Sequence, residues 1–455
     1  MPTLSEIQTC INNLTTASDP AEFAILATQA NRETSNNLNF SVATVADLPD
    51  LVTNNIANGQ IVFVVSLGAP VVARVYLYEW LSMDGQLVRK DGLAYVVYTW
   101  GFNTSGQLGD ATVVNRSSPV LTSGRGTTWC QISAGYHTAA VKTDGTAWTW
   151  GCNICGQLGN QSIAPRSSPG TVSGGGNTWC QISAGNNHTA AIKTDGAAWT
   201  WGANNCGQLG DNTAVDRSSP VALTGANTCW HQISAGGAHT AAIKFDGIST
   251  WTAWTWGWNL CGQLGNSTAG SSTNRSSPVQ PAGGGTTWCQ IHAGNQHTAA
   301  IKTDCTAWTW GRNSSGQLGD GTTVSRSSPG QTTGVNSDWC KISAGYHTAA
   351  IKTDSTIWTW GLNNAGQLGD GTVIAKNSPV ATSGGGADWC AIDAGICHTA
   401  AVKTDGTIWT WGHNTVGQLG NGNLVCRSSP GTICGNLTWC SVSAGQGFTL
   451  GIQPS

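Results

Sequence analysis

The sequence predicts an all-β protein whose main part is a seven-bladed β-propeller. Three short strings, TWG, GQLG and W-x-x-I/V-x-A-G, each recur seven times at a spacing of 50 to 55 residues. This is the period of propeller blades and not of helical solenoids. Only 9% of the residues are charged, while the chain has 60 Gly and 23 Trp. Such a composition is typical of a protein built from strands and turns.

The three strings keep the same order in every repeat, which implies seven equivalent structural units. The TWG glycines are residues 101, 151, 202, 257, 311, 361 and 412; GQLG begins at 106, 156, 207, 262, 316, 366 and 417; the tryptophans of the third string are 129, 179, 230, 288, 339, 389 and 439.

Each repeat contains two short strand-like runs, such as HTAAIK and TIWTW, joined through TDGT. Asp-Gly suits the two positive φ angles of a type I′ hairpin turn, which we therefore predict at 144–145, 195–196, 246–247 and 405–406. The glycine is missing at Asp304-Cys305 and at Asp354-Ser355. These two hairpins are expected to turn differently or to carry strain.

The order G-x-N-x-x-G-Q-L-G, then R-S-S-P, then W-x-x-I-x-A-G-x-x-H-T resembles the regulator of chromosome condensation repeat. The resemblance covers about residues 93 to 455. It implies the seven-bladed β-propeller of that family, with the repeat histidines as structural residues.

The two ends of the repeat region predict how the propeller closes. FTLGI at 448–452 occupies the HTAAIK position but has no hairpin partner after it, and YVVYTW at 95–100 occupies the partner position with nothing before it. We predict that these two strands pair and complete one blade, because this removes two open sheet edges.

Six histidines share one repeat position, and Phe448 takes the seventh. They are His137, His188, His239, His297, His347 and His398. An active site is one asymmetric constellation, whereas these six occupy equivalent environments. We interpret them as structural imidazoles hydrogen-bonded to nearby backbone between blades. The repeat lysines and aspartates are expected at solvated strand ends. The sequence contains no nucleophile elbow, Walker loop or H-E-x-x-H string, and we predict no catalytic residue and no cofactor.

The cysteines and tryptophans are also interpreted structurally. Six cysteines follow the repeat tryptophan and share strand parity with the core Ile or Val, which predicts small buried thiols at 130, 180, 289, 340, 390 and 440. The one C-x-x-C, Cys152 and Cys155, supplies too few ligands for zinc, and no metal site is predicted. Twenty of the 23 tryptophans occupy repeat positions, as blade-core packing would require.

Charge and hydropathy restrict the classes of partner that the sequence predicts. The net charge is −3, and 13 of the 20 Lys and Arg fall at two repeat positions, so the sequence has no basic stripe and no nucleic-acid partner is predicted. No stretch approaches 18 apolar residues, so we predict no membrane insertion. The first residues, MPTLSEIQTCINN, lack the basic and apolar regions of a secretory signal, and none is expected.

Residues 1–92 lie outside the repeat. We predict an N-terminal helical segment at 1–36, where Asp19-Pro20 is a good N-cap and first-turn pair, and a small β-module at 37–92 before the propeller at 93–455. The order D-L-P, N-G-Q-I-V-F-V and L-Y-E-W resembles β-modules of bacteriophage tail-fibre and other virion proteins. This resemblance implies attachment to a virion through residues 1–92.

Two functions of different class follow from these features. The first is a non-enzymatic bacteriophage virion component, in tail or fibre, which contacts other virion proteins through residues 1–92 and displays the propeller to a host surface protein or glycan. The alternative is a cytoplasmic regulatory interaction propeller, similar to a guanine-nucleotide exchange factor or an enzyme inhibitor. The sequence leaves open whether the chain forms a homo-oligomer or disulfides, and which propeller face binds.

Recognition should lie where the repeats differ, because positions identical in all blades cannot specify one ligand. Two positions vary, namely the residue after the TWG glycine and the residue before the repeat histidine. The candidate ligand-binding residues at these positions are Phe102, Tyr136, Asn187, Trp258, Gln296, Arg312, Tyr346, Leu362 and His413. Aromatic and amide side chains of this kind suit a protein or glycan ligand.

Overall fold

A computed structural model of the protein describes residues 60–67, 72–80, 87–89 and 95–454, apart from 125, 127, 226–227, 246–249, 335–336, 385 and 436. The chain divides into two compact units, Met1–Leu93 and Ala94–Ser455. In the first unit, β1 (Gln60–Leu67), β2 (Val72–Trp80) and β3 (Leu87–Arg89) form an antiparallel sheet. The predicted helical segment at 1–36 lies outside the described residues. Within the described part, no helix is long and apolar enough to cross a membrane.

The second unit is a seven-bladed β-propeller, which confirms the predicted fold. Each blade is a four-stranded antiparallel sheet. The strands are β4 (Tyr95–Gly101), β5 (Arg116–Leu121), β6 (Trp129–Ala134), β7 (His137–Lys142), β8 (Ala147–Gly151), β9 (Arg166–Thr171), β10 (Trp179–Ala184), β11 (His188–Lys193), β12 (Ala198–Gly202), β13 (Arg217–Ala222), β14 (Trp230–Ala235), β15 (His239–Phe245), β16 (Trp251–Gly257), β17 (Arg275–Val279), β18 (Trp288–Ala293), β19 (His297–Lys302), β20 (Ala307–Gly311), β21 (Arg326–Gln331), β22 (Trp339–Ala344), β23 (His347–Lys352), β24 (Ile357–Gly361), β25 (Lys376–Ala381), β26 (Trp389–Ala394), β27 (His398–Lys403), β28 (Ile408–Gly412), β29 (Arg427–Thr432), β30 (Ser441–Ala444) and β31 (Phe448–Pro454).

Blade 1 contains both ends of the propeller. Its strands run in the order β30, β31, β4 and β5, whereas blades 2 to 7 take four consecutive strands each, from β6–β9 to β26–β29. Strand β31 pairs with β4 from Phe448 opposite Gly101 to Pro454 opposite Tyr95. The predicted closure is therefore confirmed, and both edges that the chain ends would leave open are hydrogen-bonded.

The strand ends define two faces of the propeller. In blade 2, His137 at the start of the second strand lies opposite Gly151 at the end of the third. The turn before the second strand and the loop after the third strand therefore lie at the same end of the blade. We call this end, in all blades, the loop face. The opposite end carries the tight hairpin between the second and third strands and is called the hairpin face.

The tight hairpins differ from the prediction. In blade 2 the N–H of Gly145 donates to the carbonyl of Lys142 (2.9 Å), and Gly145 alone of the Asp144-Gly145 pair has a positive φ, +77°. This is a type I turn followed by one left-handed residue, so the predicted type I′ turn is wrong. A three-residue loop takes this form because the left-handed residue returns the chain to the strand register. The pair at 246–247 lies outside the described residues.

Two hairpins make the same turn without glycine. Cys305 and Ser355 have φ of +61° and +62°, and their N–H groups donate to Lys302 and Lys352 in the same way. A side chain in this region crowds its own backbone. The expected strain is therefore present, while a different turn is not.

The hydrophobic core lies between blades. Trp129 and Trp150 of blade 2 are buried against Leu108 and Phe448 of blade 1. Their two rings meet edge to face, 5.8 Å apart. Each blade thus buries its tryptophans against the previous blade, as the repeat positions predicted.

The third repeat tryptophan is half-buried, and a lysine covers the face of its ring. The Lys142 ammonium lies 4.0 Å from the ring centroid of Trp148 and 4.7 Å from that of Trp129. The same cation–π arrangement recurs at Lys193, Lys302, Lys352 and Lys403. The expectation of simply solvated lysines is wrong, since the ammonium groups pack on indole faces.

The cysteines after the repeat tryptophan are not buried, and the prediction for them is wrong. Trp129 lies opposite Lys142 and Gln131 opposite Val141, so Cys130 is the extra residue of a β-bulge. A bulge interrupts the alternation of side chains, which removes Cys130 from the core face. Cys130 is half-buried, and its counterparts Cys340, Cys390 and Cys440 are exposed. The described cysteines are free thiols.

The repeat histidines join neighbouring blades, as predicted, but they bond a side chain and not the backbone. Nε2 of His137 in blade 2 lies 2.6 Å from Oγ1 of Thr189 in blade 3, and that hydroxyl donates to the Gln157 carbonyl of blade 2 (2.8 Å). Because the hydroxyl proton is used for this bond, Nε2–H of the histidine must be the donor. The other five pairs are His188–Thr240, His239–Thr298, His297–Thr348, His347–Thr399 and His398–Thr449.

Burial keeps these histidines neutral. It lowers the pKa of His347 to about 3, and the neighbouring His398 and His297 act in the same direction. A histidine in the unfolded chain has a pKa of about 6.5. Between these two pH values the histidine is protonated in the unfolded chain and neutral in the folded chain. The stability contributed by neutral burial is therefore complete above about pH 6.5 and is lost as the pH falls toward 3.

We predict that Ser355→Gly raises the free energy of unfolding by about 0.5–1 kcal/mol, because it removes left-handed strain while adding some unfolded-state entropy. Urea denaturation measures the change. Gly145→Ser is the opposite control and should destabilise, since a Cβ there would collide with the Asn177 carbonyl oxygen. A loss of stability in Ser355→Gly would contradict the assignment.

We predict that His347→Phe makes unfolding less dependent on pH. The variant loses the bond to Thr399, but Phe448 shows that the position accepts a phenyl ring. Between pH 7 and pH 5 the free energy of unfolding should fall by about 2 kcal/mol less in the variant than in the parent, because the unfolded variant takes up one proton fewer. Urea denaturation at the two pH values measures both free energies of unfolding. An equal decrease in the parent and in the variant would contradict a buried neutral imidazole at His347.

Candidate functional site: the loop face around the channel mouth

The structure places the two variable positions of each blade at the loop face and joins them by a backbone hydrogen bond in blades 1, 3, 4, 5 and 7. The N–H of Phe102 donates to the Gly447 carbonyl (2.8 Å), and the N–H of Arg312 donates to the Gln296 carbonyl (2.9 Å). The same bond joins Trp258 to Ala238 and His413 to Cys397. Blades 3, 4, 5 and 7 therefore each present one adjacent pair of non-repeated side chains, an arrangement that sequence spacing alone did not indicate, while in blade 1 the turn residue is Gly447.

The glycine of TWG makes this pairing geometrically feasible. Gly101 has a φ of +108°, and a Cβ there would collide with the Gly447 carbonyl oxygen. The third strand can thus end against the turn that precedes the second strand, and the next residue points away from the core.

Most of the candidate residues are at the surface but partly buried. Arg312 is exposed, and the other eight are half-buried, namely Phe102, Tyr136, Asn187, Trp258, Gln296, Tyr346, Leu362 and His413. Partial burial fixes their orientation while leaving a contact surface, which is the condition for an energetically significant anchor.

Blade 5 carries the best-defined polar pair. Nη1 of Arg312 donates to Oε1 of Gln296 (2.6 Å), and its Nε donates to Oγ of Ser314 (2.8 Å). The guanidinium is therefore held flat at the rim with donors still available for a carboxylate. His413 is also fixed, since Nε2 of Gln418 donates to its Nδ1 (2.8 Å).

Two tyrosines from distant blades face the same opening. The pKa of Tyr136 is raised, first by burial and then by the nearby Tyr346 and Cys152 groups. Tyr136 of blade 2 and Tyr346 of blade 6 each follow a glycine, Gly135 or Gly345, that lines the channel. The turns before the second strands, which carry four of the candidate residues, thus surround the mouth of the channel.

The channel itself is lined by the first strand of every blade. A serine in this strand accepts a hydrogen bond from an alanine N–H of the next blade, as Ser133 does from Ala184 (2.9 Å). Five blades use serine at this position, and blades 5 and 7 use His292 and Asp393. The sequence analysis did not single out these two residues, although the strings IHAG and IDAG in place of ISAG mark them.

Asp393 binds three blades together. Its Oδ1 accepts from Ser343 of blade 6 (2.7 Å), and its Oδ2 accepts from Ser443 (2.9 Å) and the Ala444 N–H (2.8 Å) of blade 1. His292 accepts the Ala344 N–H at Nδ1 (3.1 Å). Burial lowers the pKa of His292, against the opposing effect of the Asp393 carboxylate. Ser343 donates to a carboxylate and not to an imidazole, so the cluster is not arranged as a catalytic triad.

The closely spaced His347, Lys352 and Asp354 are not brought together as a reactive group. His347 bonds Thr399, Nζ of Lys352 pairs with Asp338 (3.1 Å), and Asp354 accepts from Thr356 (2.6 Å). His347 starts its strand at the loop face and Lys352 ends it at the hairpin face. Each has a separate structural contact.

Comparison with known proteins agrees with this fold. The family model for the RCC1-like domain matches residues 96–451. The chain is similar to the ultraviolet-B receptor UVR8 of Arabidopsis thaliana, with 35% identity over 144 residues, 31% of each chain. It is also similar to the probable E3 ubiquitin-protein ligase HERC3 of Homo sapiens, with 34% identity over 150 residues, 32% of this chain and 14% of that protein. The matches thus span less than a third of these two relatives.

Solved structures show the same architecture. Prp20p of Saccharomyces cerevisiae, studied together with its binding to Gsp1p and histones, superposes with a TM-score of 0.69 at 20% identity, covering 80% of this chain and 92% of that chain. Human WBSCR16 superposes with a TM-score of 0.69 at 21% identity, covering 80% and 99%. At these identities the likeness establishes the fold.

We predict that Asp393→Ala lowers the free energy of unfolding by about 2–3 kcal/mol, because three donors lose a charged acceptor. Ser133→Ala, which removes a single neutral acceptor in the same ring, should cost about 1 kcal/mol. Chemical denaturation of both variants gives the comparison. Equal losses would show that Asp393 acts like any other member of the ring.

Proposed function

We propose, because this chain belongs to the family of RCC1-like domains, that it is a non-enzymatic interaction module that binds a protein partner through its loop face. The observation that carries the proposal is that the non-repeated positions of all seven blades lie at the loop face, joined by a backbone hydrogen bond in five of the blades. The repeated positions build a rigid frame, and the side chains that differ between blades collect on one side of it.

The chemistry of these pairs favours a protein over a glycan. Tyr136, Tyr346, Phe102 and Trp258 supply aromatic anchors, and Arg312 supplies an oriented guanidinium. Aromatic residues and arginine are the residue types that dominate binding energy in protein interfaces. A propeller of this kind acts by presenting a preorganised surface, which limits the entropy lost on association.

Of the two functions predicted from the sequence, the regulatory interaction propeller is the better supported. The matching family model is that of an RCC1-like domain, and the similar proteins described above are a plant receptor and a probable ubiquitin-protein ligase. The virion assignment depends on residues 1–92 and stays a prediction, as does the cytoplasmic location of the alternative.

Site-specific photo-crosslinking tests the proposal. We expect a photoreactive phenylalanine analogue in place of Tyr346, in the full chain, to crosslink a defined protein in extract of the source cells. Untagged chain should compete, and Arg312→Ala should reduce the yield several-fold. The matched control places the analogue at Thr353, which is exposed on the hairpin face.

Equal labelling from both positions would contradict a loop-face site. Selective retention on immobilised glycans with no protein crosslink from Tyr346 would replace the protein partner with a glycan.

A further inference from the structure

The exposed apolar side chains of the described residues are concentrated on the loop face. Eleven large aliphatic side chains are between 47% and 70% exposed, and all lie in loops between third and fourth strands: Val113, Val114, Ile154, Ile163, Val215, Leu260, Val324, Val373, Ile374, Leu424 and Val425. Single exposed aliphatic residues are ordinary, but a concentration on one face marks a contact surface.

These side chains are not distributed evenly around the ring. Blades 1, 6 and 7, which are neighbours, each carry two adjacent aliphatic residues at the loop tip: Val113 and Val114, Val373 and Ile374, Leu424 and Val425. At the same tip, blades 2, 3 and 5 carry one each, Ile163, Val215 and Val324. We call the loop tips of blades 6, 7 and 1 the apolar arc.

A cation without its usual counter-ion lies in the middle of the apolar arc. In blades 1 and 6 the loop aspartate pairs with the first residue of the fourth strand, as Asp110 does with Arg116 (2.9 Å) and Asp370 with Lys376 (3.5 Å). Blade 7 has Asn421 in place of this aspartate, and Asn421 accepts from Asn414 (3.2 Å). The guanidinium of Arg427 instead lies against the backbone of Gly431, where a Cβ would overlap it.

The whole loop face has an excess of positive charge. Asn160 and Asn266 replace the same aspartate in blades 2 and 4, beside Arg166 and Arg275. Over all seven loops there are eight cationic side chains and five carboxylates, an excess of three positive charges. On the hairpin face, seven described lysines balance seven described aspartates.

We propose that the apolar arc docks a protein surface that combines exposed apolar side chains with a carboxylate placed to meet Arg427. This rests on the proposed function and names the partner's chemistry and its position on the loop face. The apolar tips exclude water around the cation, and an ion pair formed there is screened less than one in open solvent.

Charge and symmetry favour such a partner over two other occupants. A second copy of the chain would bring two surfaces with the same positive excess together, which is repulsive. A bilayer is laterally uniform and would be matched by equal tips in all blades. Three adjacent loops instead form one continuous patch on one side of the ring, as the footprint of a single protein partner would require.

Matched triple variants of the full chain test the inference. The probe is a fluorescent random copolymer of glutamate and tyrosine, which carries both carboxylates and apolar rings, and its anisotropy reports binding. We expect Val114→Ser/Ile374→Ser/Val425→Ser to weaken binding at least fivefold. The control Ile163→Ser/Val215→Ser/Val324→Ser removes tips of similar exposure outside the arc and should weaken binding less than twofold.

The contribution of Arg427 is tested in the same assay. Arg427→Ala should weaken copolymer binding about threefold and reduce its salt dependence, whereas Arg275→Ala, at the equivalent position of blade 4, should leave both nearly unchanged. Polyglutamate without tyrosine should bind more weakly than the copolymer.

Four outcomes would overturn the inference. Equal effects of the two triple variants would show that the arc is not a distinct site. Sedimentation with phosphatidylcholine vesicles containing 30% phosphatidylserine, lost only in the arc variant while copolymer binding persists, would assign the arc to lipid. Dimerisation lost only in the arc variant would assign it to a second copy. If the arc variant still gives the full crosslink from Tyr346, the inference fails while the proposed function stands.

Discussion

The hydrogen-bonded contact between successive blades is the interaction on which the whole propeller depends. At six of the seven boundaries a threonine of one blade is held from the previous blade by an imidazole N–H and by a backbone carbonyl, both buried; at the boundary between blades 1 and 2, Phe448 replaces the histidine and Thr138 keeps only the carbonyl of Gln107. Nearer the axis, a side chain of the first strand takes the next alanine N–H. Because buried polar groups are costly when unpaired, the blade spacing that satisfies one boundary is also imposed on the other six.

That constraint explains which parts of the protein the sequence predicts. The seven-bladed fold, its closure by the two chain ends and the structural role of the histidines all follow from positions that repeat in phase. The sequence does not predict details that depend on one additional residue in a strand or a turn. The bulge at Cys130 moves this residue out of the core in which the alternation of side chains would place it. One extra turn residue at Gly145 changes the hairpin type. Neither feature alters the repeat pattern. The bonding partner of His137 was also hidden, since Thr189 is 52 residues away and adjoins it only through blade packing.

The candidate surface was predictable in part. A comparison of the copies identified Arg312 and Gln296 as variable, but their contact arises because Gly311 directs the chain against the neighbouring turn. The exposed aliphatic tips were not singled out, because Val, Ile and Leu in a β-rich sequence suggest a core position. Only the structure shows that the residues before the R-S-S-P string lie in a loop outside the inter-blade core. His292 and Asp393 likewise differ visibly from the repeat, but their shared position in the channel is a property of the ring.

The closure of blade 1 also sets an order in time. Its inner two strands come from the C-terminal end and its outer two from the N-terminal end, and Nε1 of Trp100 donates to the carbonyl of Gln418, 318 residues later (3.0 Å). At ribosomal speeds of about 5–20 residues per second, strand β4 leaves the ribosome roughly twenty seconds to a minute before β31 is made. Blades 2 to 7 can assemble in sequence during that interval, each from consecutive strands. The first blade to be started is the last to be finished, and until then the growing propeller is an open chain of blades in which one edge of β4 has no partner.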